Sequence, residues 1–249
     1  MTKIKINDIN SYTDSMKKSL HEKSFFLRKI KADSFLDYGC ADGALLKFIQ
    51  SLLPECKYVG YDISKEMLER AKQNSDITFT DDLDLLSQEK TKNSALILSS
   101  IIHEIYSYAD PTEFWNEVFT KIDTKYIVIR DMMISDSQIK TSNLKDVKKV
   151  KEKNNGNLED FQDNWGDIAL NRNLIHYLLK YRYLKNWNRE VKENYLPLTL
   201  EQLIAELPEN YEIIYIKHYT PRFLKRFVKK DFNIKLKEKT HVKMIIKRK

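Results

Sequence analysis

The sequence predicts an α/β protein built on a mostly parallel sheet with helices on both faces. Two observations carry that prediction. Apolar runs at Ser34 to Tyr38, Lys57 to Tyr61, Ile77 to Thr80, Ala95 to Ser99 and Lys125 to Arg130 read as strands, and stretches with helical periodicity lie between them, near 43 to 53, 64 to 73 and 112 to 121, with a shorter one near 82 to 90. Alternation at this spacing places successive strands parallel and covers the sheet on both sides. Two further strands, Tyr211 to Tyr219 and His241 to Lys247, close the chain.

A chain of 249 residues, 42% hydrophobic and 32% charged, has the composition of a folded protein and room for one large domain with elaborations. We expect a single domain over 1–249, with its core at 32–134 and 196–249, a helical N-terminal extension at 1–31 and a helical insertion or lid at 135–195. Met16, Leu20, Phe25, Phe26 and Ile30 offer the extension an apolar side. In the insertion, Leu174, Tyr177, Tyr181, Leu184, Trp187, Val191 and Tyr195 recur every three or four residues, the spacing of one aromatic-rich helix face that Pro197 ends. That face either packs on the core or closes over a substrate.

Cys40 and Cys56 lack CxxC spacing, so neither a disulfide framework nor a cysteine metal site is expected. The N-terminus has no apolar signal core and no run of eighteen apolar residues occurs, which places the chain in the cytoplasm as an expectation, away from membranes. The formal charge is +7, and it is unevenly spread: from His218 onward twelve Lys or Arg face only Asp231 and Glu238. Clustered in space, such an excess attracts anions; dispersed, it is a solvated surface.

The turn Asp37-Tyr-Gly39-Cys40-Ala41-Asp-Gly43 puts small residues between a strand and a helix, where the backbone can turn tightly and approach a ligand. Gly39-x-Ala41-x-x-Ala44 is also a weak dinucleotide fingerprint, so the flanks must decide. Asp37 at the end of the first strand, and Asp62 in Tyr58-Val-Gly-Tyr-Asp62-Ile63-Ser at the end of the second, make the chain resemble the class I S-adenosylmethionine-dependent methyltransferases. Ala41 is the one departure from the family's acid-x-Gly-x-Gly-x-Gly pattern.

The resemblance implies a Rossmann-like sheet of seven strands whose last strand is antiparallel, S-adenosylmethionine as cofactor and S-adenosylhomocysteine as product. It implies that Asp37 lies beside the methionine amino group, that Asp62 accepts both ribose hydroxyls, and that Asp81 or Asp82 receives the adenine amino group. Gly39, Cys40, Ala41, Gly43, Ile63, Ser99 and Ser100 complete the expected cofactor contacts. After strand four, Ser99-Ser100-Ile-Ile-His103-Glu104-Ile-Tyr106-Ser-Tyr108 occupies the acceptor-facing position. His103, with an ordinary pKa near 6.5, is the candidate base, Glu104 its weaker companion, and Tyr106 and Tyr108 candidate acceptor contacts.

Absences narrow the chemistry. No Asn or Asp-Pro-Pro-aromatic motif marks an exocyclic base amine methylase, neither cysteine sits where a carbon-5 pyrimidine nucleophile would, and no Lys-Asp-Lys-Glu set is evident. A lone His-Glu pair is too little for a metal site, so none is expected. Thr220 to Lys230 instead reads as a basic amphipathic helix between the last two strands, with Phe223, Leu224, Phe227 and Val228 on one side and Arg222, Lys225, Arg226, Lys229 and Lys230 around the rest. Beside an active site it favours an anionic acceptor, RNA or another phosphate-bearing molecule. A small-metabolite methyltransferase closed by the insertion, and a cofactor-binding module without catalysis, are the alternatives. Oligomeric state is left open.

Overall fold

A computed structural model describes residues 19–153 and 156–249. Its seven strands are β1 (Ser34–Tyr38), β2 (Lys57–Tyr61), β3 (Thr78–Thr80), β4 (Ser94–Ser99), β5 (Tyr126–Met132), β6 (Tyr211–Tyr219) and β7 (His241–Arg248), in the spatial order β3-β2-β1-β4-β5-β7-β6. β1 to β5 pair in parallel, while β7 runs antiparallel to both β5 and β6, as the resemblance implies. The order reverses between β1 and β4, which opens a crevice at the carboxyl ends of those strands where this class of sheet binds ligands.

The helices of the first half are α1 (Leu20–Lys23), α2 (Ala44–Leu52), α3 (Lys65–Lys72), α4 (Leu83–Gln88), α5 (Ile102–Tyr108) and α6 (Pro111–Asn116). A π-helical turn, Glu117–Ile122, continues α6, so the helix expected at 112 to 121 is present with a wider last turn. The pleat splits the strands between two cores. Phe35, Tyr58, Ala95, Ile97 and Val128 meet α2, α3 and the N-terminal segment on one face, while Leu36, Leu96, Leu98, Ile127 and Ile129 meet α5 and α6 on the other.

Two expectations need correction. Of the N-terminal extension, Met16 lies outside the described residues, and from 19 to 31 only the single turn α1 is helical. Phe26 and Ile30 are nevertheless buried there, with Leu20 and Phe25 against the same core, so packing rather than helix formation anchors the segment.

The stripe from Leu174 to Tyr195 is not one helix. It comprises α9 (Asn171–Lys180), a 3₁₀ turn at Leu184–Asn186 and the short α10 (Trp187–Glu190), preceded in the insertion by α7 (Leu144–Glu152) and α8 (Asn157–Trp165). The reason lies at Lys180, which is 0% exposed and donates to the carbonyls of Glu190 at 2.6 Å and Glu193 at 2.5 Å. A straight helix of that length would extend about 30 Å and carry those carbonyls away from Lys180. Folding back leaves Leu184 at 53% exposed, so its place in the periodic pattern carries no packing.

The chain then forms α11 (Leu200–Ala205) and, between β6 and β7, α12 (Arg222–Phe232). Leu224, Val228 and Phe232 of α12 join Val150, Phe161, Leu174, Tyr177 and Tyr181 in a core separate from the two beneath the sheet. Phe223, expected on the apolar side, is 38% exposed. No described helix is long and apolar enough to cross a membrane.

Candidate active site at the carboxyl ends of the strands

The β1–α2 turn is shaped by left-handed backbone at Gly39 (φ 79°), Ala41 (φ 47°) and Gly43 (φ 71°). A Cβ at Gly39 would sit 2.7 Å from Ile101 Cδ1, so both conformation and space exclude a side chain there. Ala41 holds a conformation that glycine adopts more readily. Its N–H donates to Asp62 Oδ2 at 2.8 Å, and the Ser64 N–H donates to Asp62 Oδ1 at 2.8 Å. Asp62 thus ties the β1 turn to the start of α3. Ile63 beside it is 40% exposed.

Asp37 is 3% exposed at the end of β1. Burial pushes its carboxyl up to about 7, with Lys23 pulling down and Asp62 pushing up further. Lys23, from the N-terminal segment, is 7% exposed, and burial together with Arg130 lowers its ammonium to about 8. Nothing in the sequence singles out this lysine among 43 basic residues; only the fold brings it to Asp37.

Asp82 caps α4 by accepting from the Asp84 N–H at 2.8 Å, whereas Asp81 is exposed on the preceding turn. Cys40 is buried beneath the turn against Gly60. At the end of β4, Ser99 Oγ is buried without a hydrogen-bond partner, and Ser100 takes a left-handed conformation (φ 62°) while its Oγ accepts from Arg130 Nη1 at 2.9 Å. A buried orphan hydroxyl, a glycine turn with no room for a side chain and a desolvated carboxylate fit a ligand that offers hydrogen-bond donors and a cation, as S-adenosylmethionine does.

The expected acceptor side is built from elements far apart in sequence. His103 is 5% exposed; its Nδ1 lies 2.7 Å from Asp131 Oδ1 and its Nε2 3.3 Å from Glu193 Oε1. Burial alone would lower the imidazole pKa, but the two carboxylates outweigh it and raise it to about 10. The ring expected as a base is thus held between two carboxylates, one at each nitrogen. Glu104 lies 3.1 Å from Arg189, which also reaches Glu193 at 3.5 Å. Burial and the Glu193 charge raise the Glu104 carboxyl to about 7, against the pull of Arg189. The Tyr108 hydroxyl is buried without a partner, while Tyr106 accepts from Trp115 Nε1 at 3.1 Å and packs on the sheet core.

Arg222, Lys225 and Arg226 are exposed on α12. The helix leaves β6, an edge strand three ladder positions from β4, so its start is about 14 Å from the cofactor crevice. These residues do not join the cofactor turn.

The family model for a methyltransferase domain matches residues 29–193. The chain belongs to this methyltransferase family. Its cofactor is S-adenosylmethionine, and the methyltransferase shares its fold with solved structures at low identity. The PH0226 protein from Pyrococcus horikoshii OT3 is 13% identical, with 98% of this chain and 94% of that one covered and a TM-score of 0.55. The methyltransferase domain of a bacterial Hen1, CtHen1-C, is 12% identical over 94% and 98% of the two chains, with a TM-score of 0.50. The plantazolicin methyltransferase BamL, solved with a triazolic desmethylPZN analog and SAH, is 12% identical over 94% and 83%, with a TM-score of 0.48. At these identities the likeness to the first two is one of fold. No curated protein matches the sequence.

Proposed function

We propose that this methyltransferase acts on an anionic acceptor, RNA foremost, and that Asp37, Asp62 and Asp81 hold the cofactor. S-adenosylmethionine, when bound, supplies a methyl group already activated on a sulfonium. The chain's own task is to orient two reactants and exclude water. Asp37 suits the methionine ammonium. Asp62, between the β1 turn and the start of α3, suits the ribose hydroxyls, and Asp81 suits the adenine amino group because Asp82 is engaged in capping α4. The backbone of Gly39, Cys40, Ala41 and Gly43 can approach closely, with Ile63, Ser99 and Ser100 at the margins.

The observation that carries the acceptor class is the surface of α12. Arg222, Lys225, Arg226, Lys229 and Lys230 are all exposed, and among the described residues none of the five is in a salt bridge. With Leu224, Val228 and Phe232 buried against the insertion, this cationic face has a fixed orientation at the strand ends. A polyanion that lies along it can direct one residue toward the crevice.

The test is RNA binding as a function of salt for the wild type and for Arg222→Gln/Lys225→Gln/Arg226→Gln. Each lost contact with a single strand should reduce the log–log slope by about 0.7. Salt-independent binding, or no change in the triple variant, would remove RNA as the acceptor.

A small anionic acceptor is the second reading. It is supported by Arg130, 7% exposed at the end of β5, whose Nε is buried without a hydrogen-bond acceptor. Arg130→Gln should then raise the KM for a phosphorylated or carboxylated metabolite while RNA binding stays unchanged.

A further inference from the structure

We propose that His103, Glu104 and Glu193 form a binding site for a divalent first-row transition-metal ion, with Asp131 as the residue that positions the histidine. One imidazole nitrogen and one oxygen from each carboxylate lie within 4.8 Å of one another. An ion with bonds of about 2.1 Å spans opposite ligands about 4.2 Å apart, so a closure of a few tenths of an ångström completes the set.

An independent observation points to a missing cation. Glu193 is 1% exposed, and its Oε1 has the His103 Nε2 contact at 3.3 Å but no well-aligned hydrogen bond. A buried carboxylate oxygen without a well-aligned donor is costly, and a metal ion is one of the few groups that relieves it.

The surroundings suit the same ion. Asp131 accepts from the N–H groups of Ile102 at 2.8 Å and Met132 at 2.7 Å, and holds His103 Nδ1 at 2.7 Å. That arrangement fixes the ring and directs Nε2 into the cluster, as carboxylate–histidine–metal triads do. Arg189 engages the other oxygen of Glu193, Oε2, at 3.5 Å. With the imidazole neutral when it binds the ion, the four carboxylates of Glu104, Asp131, Glu190 and Glu193 against the Arg189 guanidinium and the Lys180 ammonium leave two negative charges, matched by a dication. The Glu104 side chain is 28% exposed and gives the ion a way in. Mixed nitrogen and oxygen donors favour Mn²⁺, Fe²⁺, Co²⁺ or Zn²⁺ over Mg²⁺ or Ca²⁺. The ion would sit at the ends of β4 and β5 and meet an acceptor oxygen or nitrogen there, whatever the acceptor's size. The site therefore does not depend on the RNA reading.

The experiment titrates Mn²⁺ into the EDTA-treated full chain and follows it by electron paramagnetic resonance. One Mn²⁺ per chain is expected, with nitrogen coupling from a single imidazole in the spin-echo envelope. Glu104→Gln and Glu193→Gln should each weaken binding at least tenfold, their folding checked by circular dichroism. No bound Mn²⁺ at millimolar concentration, bound Mn²⁺ without nitrogen coupling, or wild-type affinity in both variants would overturn the proposal. If Glu193→Gln does not fold, Glu104→Gln and the wild-type nitrogen coupling still decide it.

Discussion

The cofactor half and the insertion half of this protein are assembled in opposite ways. From β1 to α3 the groups proposed to face the cofactor lie within one strand-turn-helix unit and its neighbour, and Asp62 joins the two through backbone N–H groups 21 and 2 residues away. In the insertion half, His103 meets Asp131 from 28 residues downstream and Glu193 from the end of the insertion, and Lys180 holds the returning chain through two carbonyls. The first half is local and repeats a family pattern. The second is a set of long-range ion pairs whose members are ordinary charged residues until the fold brings them together.

The largest expected effect breaks the local half. Asp62→Ala removes the acceptor for the Ala41 and Ser64 N–H groups along with the proposed ribose contact. Equilibrium binding should show cofactor affinity reduced at least about 100-fold, about 3 kcal/mol, in keeping with the loss of charged hydrogen bonds. Unchanged affinity would mean that the cofactor lies elsewhere.

The next effect breaks the other half alone. Lys180→Met leaves the buried carbonyls of Glu190 and Glu193 without their donor, and chemical denaturation should give a loss of about 2–4 kcal/mol. Cofactor affinity should change less than about threefold, because no cofactor-side residue touches Lys180. A parallel loss of cofactor affinity would show that the halves are one unit.

This difference also explains what the sequence made legible. The places of Asp37, Gly39 and Asp62 at the strand ends and turn could be read because strand, turn and helix signals surround them within a few residues, and the parallel order followed from alternation of elements. Lys23 and Glu193 could not, since burial distinguishes them and burial is a property of the tertiary fold. The apolar recurrence from Leu174 to Tyr195 misled for a related reason. Every residue of α9 from Leu174 to Lys180 is buried, so no single stripe defines it, and the later positions belong to a chain that has already turned back. The basic helix α12 was legible as a helix, but its distance from the crevice depends on β6 being the sheet edge.

A smaller effect is pH-linked. Asp37 has a folded-state pKa raised to about 7, so between its ordinary value and about 7 the folded protein retains a proton that the unfolded chain has lost. The contribution of Asp37 to the stability of the cofactor-free protein should therefore fall as pH rises through that window, by up to about 1.4 kcal/mol per pH unit, and level off above it, while the raised Glu104 and His103 add slopes of the same sign. Asp37→Asn should reduce the slope between pH 4 and pH 7 relative to the wild type in thermal melts taken from pH 4 to pH 8. Cofactor affinity in the wild type should weaken as pH falls below about 7, as the carboxylate proposed to face the methionine ammonium is protonated.

The smallest effect concerns the one departure from the family turn. Ala41 sits at φ 47° and is 8% exposed. Ala41→Gly relieves about 1 kcal/mol of backbone strain but loses a buried methyl and frees the unfolded chain. Melting temperature and cofactor affinity should stay within about 1 kcal/mol of wild type.

Hydrogen exchange with and without S-adenosylmethionine compares the two halves in one measurement. Protection is predicted at the amides of Gly39 to Gly43, Asp62 to Ser64 and Asp81 to Leu83, with those of α9 and α10 unchanged. Protection confined to 171–193, with none at the β1 turn, would contradict a cofactor site organised by Asp37 and Asp62.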